Sequence, residues 1–278
     1  MEKHFLVCVC DDGAESYSIM FMRDFFNFPC DLRLTLFYVA PQNGSWGVSN
    51  SITKGTNLLK KIKDNFLANS FCSESKVDIK STTSRGAIVR EFVQEGHKGL
   101  YDAVIFGQQS LSAFEELFDY SIPSRMIWED INFPLWFCKY PHEIPKKDVL
   151  LCLGSGAPSQ RITDHVGYVL NEDAAHSITL LHVHNRKKKQ KESSKFLFEE
   201  ARVNLIANGI EESRITQKVV EGSNVAKAIH AEALRGHYSV VAIGRDFHDK
   251  TTKEKLLPES VSAQLLRKLE GAALWISK

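Results

Sequence analysis

Short apolar runs alternate with longer amphipathic stretches along this chain, and the alternation happens twice. In the first half the apolar runs fall at 4–10, 32–40, 76–82, 102–106 and 134–139. Between them, apolar positions recur at helical spacing over 15–26, 52–69, 87–97 and 113–128. The second half repeats the order, with strand-like runs at 148–153, 177–184, 214–221, 238–243 and 272–277. Its helical stretches lie at 159–170, 195–207, 224–234 and 258–268. Strand-length runs separated by helix-length segments predict βαβ units and a parallel sheet in each half.

Local matches in register support a duplication. Thr35-Leu36-Phe37-Tyr38-Val39 resembles Thr179-Leu180-Leu181-His182-Val183, and Gly86-Ala87-Ile88-Val89 answers Gly222-Ser223-Asn224-Val225. Asp102-Ala103-Val104-Ile105-Phe106-Gly107 matches Ser239-Val240-Val241-Ala242-Ile243-Gly244, and Pro134-Leu135-Trp136 matches Ala273-Leu274-Trp275. Four matches with similar gaps point to one unit present twice. The stretch Tyr140-Pro141-His142-Glu143-Ile144-Pro145 ahead of Lys146 reads as a short, stiff linker between domains at 1–140 and 146–278.

Composition agrees with two cores. The chain has 278 residues, 43% of them hydrophobic, enough for two average domains. Its 35 Lys and Arg nearly balance 34 Asp and Glu, so no global field draws it to nucleic acid or to an acidic membrane. No apolar run has the length of a membrane span. The first apolar run is followed by Asp11-Asp12 and not by a small-residue cleavage site. A cytoplasmic protein without a secretory signal is expected, with its six scattered cysteines reduced.

The residues ending the predicted strands bring out a family resemblance. Val7-Cys8-Val9-Cys10-Asp11-Asp12-Gly13, Leu180-Leu181-His182-Val183, the turn Val220-Glu221-Gly222-Ser223 and Val241-Ala242-Ile243-Gly244-Arg245 resemble the universal stress protein family in its tandem two-domain form. The resemblance implies two five-stranded parallel sheets of order 3-2-1-4-5 with helices on both faces, an adenine nucleotide alpha hydrolase-like fold. It also implies that the two domains pack as an intramolecular pair, with a homodimer as a further expectation. In such a sheet a ligand sits beyond the C-terminal strand ends where the strand order reverses. Asp11, Asp12, Gly13, Val39, Gly86 and Gly107 would line the first crevice. Gly154, Ser155, Gly156, Val183, Gly222, Gly244 and Ser260 would line the second.

ATP-binding members of that family carry Gly-x-x-Gly after the fourth strand, then Gly-Ser or Gly-Thr further on. Glycine backbone and the amides of a helix N-terminus can approach phosphate closely. This chain departs from the pattern in both halves: Gln108-Gln109-Ser110-Leu111-Ser112 follows Gly107, and Arg245-Asp246-Phe247-His248-Asp249-Lys250 follows Gly244. Pro123-Ser124 and Pro258-Glu259-Ser260 stand where the later motif would be. ATP in the usual pose is therefore not expected, while ATP or AMP in another pose, or an unrelated small ligand, stays open. Ser124 and Ser260 have a simpler reading as helix caps.

Other groups stay with more than one reading. Asp11 and Asp12 could bond a ribose hydroxyl, bind a divalent ion or cap the first helix. Gly154-Ser155-Gly156 could form an anion nest or a loose turn. His182 and His184, with His176 upstream, could join His230, His237 or His248 around zinc or serve as ordinary structural histidines. The basic run Arg186-Lys187-Lys188-Lys189-Gln190-Lys191 lacks the interleaved aromatics that base stacking uses, so nucleic acid is not the expected partner. No nucleophile elbow, Walker loop, metalloprotease helix or pyrophosphatase loop is present. Three readings follow: a stress-response regulatory or ligand-binding protein with degenerate pockets, an ATP or AMP sensor with slow or no hydrolysis, and a scaffold acting through its surfaces.

Overall fold

The first strand of each half is apolar on both faces. Phe5 to Val9 in β1 (Lys3–Val9) and Val149 to Leu153 in β6 (Lys146–Leu153) are all buried. A strand buried on both faces belongs inside a parallel sheet with helices above and below. The computed structural model describes residues 2–10, 16–26, 32–41, 48–69, 73–85, 87–107, 131–139, 146–184, 193–245 and 260–278. The chain divides into two compact units, Met1–Cys138 and Lys139–Lys278.

The first unit continues from β1 through α1 (Tyr17–Phe25), β2 (Leu32–Ala40), α2 (Val48–Ala68), β3 (Val77–Thr83), α3 (Ile88–Lys98), β4 (Ala103–Phe106) and β5 (Leu135–Phe137). The helix expected at 113–128 and the linker at 140–145 lie outside the described residues. The second unit runs β6, α4 (Ala157–Leu170), β7 (Ile178–His184), α5 (Ser194–Ala207), β8 (Ile215–Glu221), α6 (Val225–Gly236), β9 (Tyr238–Gly244), α7 (Val261–Lys268) and β10 (Ala273–Ser277). The strands of the first unit lie in the order β3-β2-β1-β4-β5, and those of the second in the order β8-β7-β6-β9-β10. Each unit therefore has the 3-2-1-4-5 order expected from the resemblance, and the pairings within each sheet are parallel.

Right-handed crossovers fix where the helices go. Connections running outward from the first strand to the third cover one face, and those running to the fourth and fifth cover the other. In the second unit α4 accordingly packs beside α5, and α6 beside α7. Caps follow local chemistry: Ser193, Asn224 and Ser260 accept hydrogen bonds from Phe196, Lys227 and Ala263 amides at the starts of α5, α6 and α7. No described helix is long and apolar enough to cross a membrane.

The two units share register as well as order. Phe37 lies opposite Lys80 where Leu181 lies opposite Lys218, and Ile105 lies opposite Trp136 where Ala242 lies opposite Trp275. Both tryptophans are fully buried. Lys80 Nζ meets Glu95 Oε1 at 2.7 Å on α3, and Lys218 Nζ meets Glu232 Oε1 at 2.6 Å on α6. The same helices end alike. Leu100 (φ 51°) and His237 (φ 53°) each take the left-handed conformation between a glycine and a tyrosine. A Cβ on Gly99 would come within 1.8 Å of the Tyr101 ring, and one on Gly236 within 2.1 Å of the Tyr238 ring. Only glycine lets the ring fold back over the helix end.

Candidate functional site

Parallel strands end together, so the C-terminal ends of β6, β7, β8 and β9 form one rim in the second unit, with the strand order reversing between β6 and β9. Leu153, the last residue of β6, leads into Gly154, Ser155 and Gly156, all exposed. Gly156 has φ +93° and precedes the first turn of α4, which holds Pro158. The Gly154 amide donates to Ser159 Oγ at 2.8 Å, closing the turn on itself. At the β7 and β8 ends, the Gly222 amide donates to the His184 carbonyl at 3.1 Å. A Cβ on Gly222 would meet Val183 Cγ1 at 3.7 Å, so these two residues are neighbours. Ser260 caps α7, and Asn224 Nδ2 bonds Gln264 Oε1 at 3.3 Å, tying α6 to α7.

Gly244 closes the rim. A Cβ there would lie 2.0 Å from the Pro158 carbonyl oxygen and 2.3 Å from its carbonyl carbon. The first turn of α4 thus rests directly on the end of β9, a contact only glycine permits. The first unit repeats the arrangement, since a Cβ on Gly107 would meet Ser16 Oγ at 2.4 Å, at the start of α1. After Gly244 the chain stays paired with β10, the Arg245 amide donating to the Ser277 carbonyl at 2.8 Å, and the Arg245 side chain is buried. Pattern reading did not single out Pro158 or the burial of Arg245, because each depends on segments far apart in the chain.

In the first crevice Val39 is buried near the end of β2, opposite Thr82 of β3. Asp11, Asp12, Gly13, Gly86, Ser124 and the basic run at 186–191 lie outside the described residues, as do the loops that follow Gly107 and Arg245.

Of the histidines weighed for zinc, His176 and His182 each bond a backbone carbonyl, and His248 lies outside the described residues. His182 Nδ1 bonds the Leu153 carbonyl at 3.1 Å near the strand ends. His176 is fully buried before β7, where Nδ1 meets the Lys147 carbonyl at 2.5 Å and Nε2 meets Asp173 Oδ2 at 3.1 Å. Arg214 clamps the same loop through the carbonyls of Leu170, Asp173 and His176. Burial lowers the pKa of His176, opposed by the Lys147 carbonyl and by Asp173. Among the described residues no group of His, Cys, Asp and Glu could hold a metal ion. Cys8, Cys138 and Cys152 are buried thiols, and burial pushes their pKa upward, which suppresses the reactive thiolate.

Sheet order, helix placement and the rim of glycines define a tandem pair of doubly wound α/β units. The fold is that of the universal stress proteins. A universal stress protein from Archaeoglobus fulgidus aligns with a TM-score of 0.64 at 13% identity, over 99% of this chain and 98% of that one. A putative universal stress protein from Pseudomonas aeruginosa aligns at 0.59 with 11% identity, over 100% of this chain and 93% of that one. A protein of unknown function from Pseudomonas aeruginosa aligns at 0.58 with 12% identity, over 100% and 92%. No family model matches the sequence, and no curated protein matches it.

Proposed function

We propose that this chain is a stress-response regulatory or ligand-binding protein whose strand-end pockets do not hold ATP in the pose usual for universal stress proteins. The contact between Gly244 and Pro158 carries the reading. A phosphate-binding glycine must keep one side of its backbone open to the ligand. Here the side of Gly244 on which a Cβ would lie is taken up by the first turn of α4. Gly107 is committed in the same way to Ser16. The sequence after each of these glycines offers no second one within five residues.

Among the described residues of the second unit, the turn at Gly154, Ser155 and Gly156 is exposed, with Gly222 half-buried and Val183 buried at the neighbouring strand ends. That rim suits a small molecule recognised through backbone amides and apolar contact. Native mass spectrometry of the full chain taken directly from cells tests the reading. The expected spectrum shows no bound ATP. A bound nucleotide that disappears in Asp11→Ala or Asp12→Ala would overturn the reading in favour of a nucleotide sensor.

A further inference from the structure

The second helix of each unit ends on the same pair of asparagines. Asn69, just past α2, donates from Nδ2 to the Asn65 carbonyl at 2.8 Å and to Asn65 Oδ1 at 2.9 Å. Asn208, just past α5, donates from Nδ2 to the Asn204 carbonyl at 3.1 Å and to Asn204 Oδ1 at 3.0 Å. The copies differ in what surrounds this cap. Ser70 follows Asn69, whereas Gly209 follows Asn208. Among the described residues only the second cap also reaches a neighbouring helix, with Asn208 Nδ2 donating to Asp164 Oδ1 of α4 at 3.0 Å. A Cβ on Gly167 of α4 would lie 2.8 Å from Asn208 Cβ and 3.0 Å from its Cγ, so the amide carbon rests against α4 where a side chain would otherwise stand.

Asparagine followed by glycine is a chemically reactive pair. Once the glycine N–H has lost its proton to solvent base, its nitrogen can attack the asparagine Cγ, and glycine offers no side chain to hinder the approach. A new N–C bond closes a five-membered imide, and the side-chain nitrogen leaves as ammonia. Water then opens the ring at either carbonyl and leaves aspartate or its β-linked isomer. Ammonia leaves and water enters, with no oxidant or further reactant. The fold holds back both partners of this reaction. The Gly209 N–H is engaged by the Ile206 carbonyl at 2.9 Å, and three acceptors fix the Asn208 amide. Asn208 keeps a helical backbone with φ −81° and ψ 0°, while Gly209 has φ +93°, a conformation that keeps glycine at this position.

We propose that Asn208–Gly209 is a latent modification site, inert while α5 packs on α4 and converted when the two helices part. Conversion also prevents the cap from closing again. The new carboxylate would face Asp164 Oδ1, the Asn204 carbonyl and Asn204 Oδ1 without a proton to offer any of them. Three hydrogen bonds are lost, and like charges meet at Asp164. An opening of the second unit is thereby recorded in the covalent chain.

Peptide mapping by mass spectrometry tests the proposal on the full chain incubated in mildly alkaline native buffer and in urea. Conversion is read as loss of ammonia and gain of water. Asn43–Gly44, the chain's other Asn–Gly pair, lies outside the described residues and is the chemical standard in urea. There the Asn208 peptide should convert as fast as the Asn43 peptide and faster than the Asn69 peptide. In native buffer its conversion should slow by about tenfold or more, the factor set by how rarely the helix end opens. Asp164→Ala removes the bond to α4 and should speed native conversion by about threefold or more, with the rate in urea unchanged. Gly167→Ala, which displaces the Asn208 side chain, should act in the same direction. Equal conversion of the wild-type Asn208 peptide in native buffer and in urea overturns the proposal, as does a peptide that stays intact in urea. So do Asp164→Ala and Gly167→Ala chains that both convert at the wild-type native rate.

Discussion

Gly244 lies so close to Pro158 that a methyl group added to it would reach within 2.0 Å of the Pro158 carbonyl oxygen. The obstacle is backbone, which cannot turn aside as a side chain can. Gly244→Ala should therefore destabilise the second unit by about 1–3 kcal/mol through overpacking. Gly107→Ala should cost less, because the atom it meets is the Ser16 hydroxyl, at 2.4 Å. Gly154→Ala serves as the reference, with its nearest neighbour 3.9 Å away, and should change stability by no more than about 0.5 kcal/mol. Urea denaturation of the three variants checks the ranking. Equal losses at positions 244 and 154 would remove the packing role assigned to Gly244.

The recurring lysine–glutamate pair leads to a second comparison. Glu232 is 1% exposed while Glu95 is 15% exposed, though both meet a lysine at hydrogen-bond distance. Removing the charge from the more buried carboxylate should cost more. Glu232→Gln should destabilise the chain by about 1–3 kcal/mol and Glu95→Gln by about 1 kcal/mol or less. Chemical denaturation at neutral pH measures both, and the reverse order would contradict the burial argument.

Acid should weaken the second unit before most carboxylates titrate. His165 is buried, with its ring 5.9 Å from that of Trp275, and desolvation pushes its pKa down to about 3. Burial lowers that of His176 as well. Below about 6.5 the unfolded chain takes up protons on these histidines that the folded chain refuses, so stability falls as pH drops from about 6.5 towards about 3. His165→Leu should flatten that part of the curve relative to wild type. Thermal unfolding followed from pH 7 to about pH 4 tests this. A variant with the wild-type slope would rule out His165 as a source of the acid sensitivity.

Much of the fold was legible because strand and helix periods are local. The apolar run at 32–40 became β2 with the same ends, and Ser260 was readable as a cap because serine ahead of a helical stretch has few other uses. The strand order agreed with the family resemblance, which alternation alone could not have supplied. The site was less legible. Gly244 could be marked as a glycine after a strand, but its neighbour Pro158 lies 86 residues earlier, and no pattern announces a contact of that range. The pairs Lys80–Glu95 and Lys218–Glu232 escaped notice for a related reason. Single charged residues at matching positions look like ordinary surface, and only the sheet register shows that each lysine faces a helix carboxylate. The exposure of Phe196 and Val203 on α5 was also hidden. Both residues fit a helical period, and exposure becomes visible only once α4 and the sheet have taken their sides of the helix.

The central claim is that neither strand-end pocket holds ATP in the usual pose, because the glycines that would admit phosphate are committed to helix packing. Isothermal titration calorimetry of the full chain with magnesium-ATP, and separately with AMP, tests it most directly. The account predicts no saturable ATP binding up to millimolar concentration, with any AMP binding weak and unaffected by the magnesium ion. Saturable micromolar binding of magnesium-ATP, at one or two sites per chain, would contradict it.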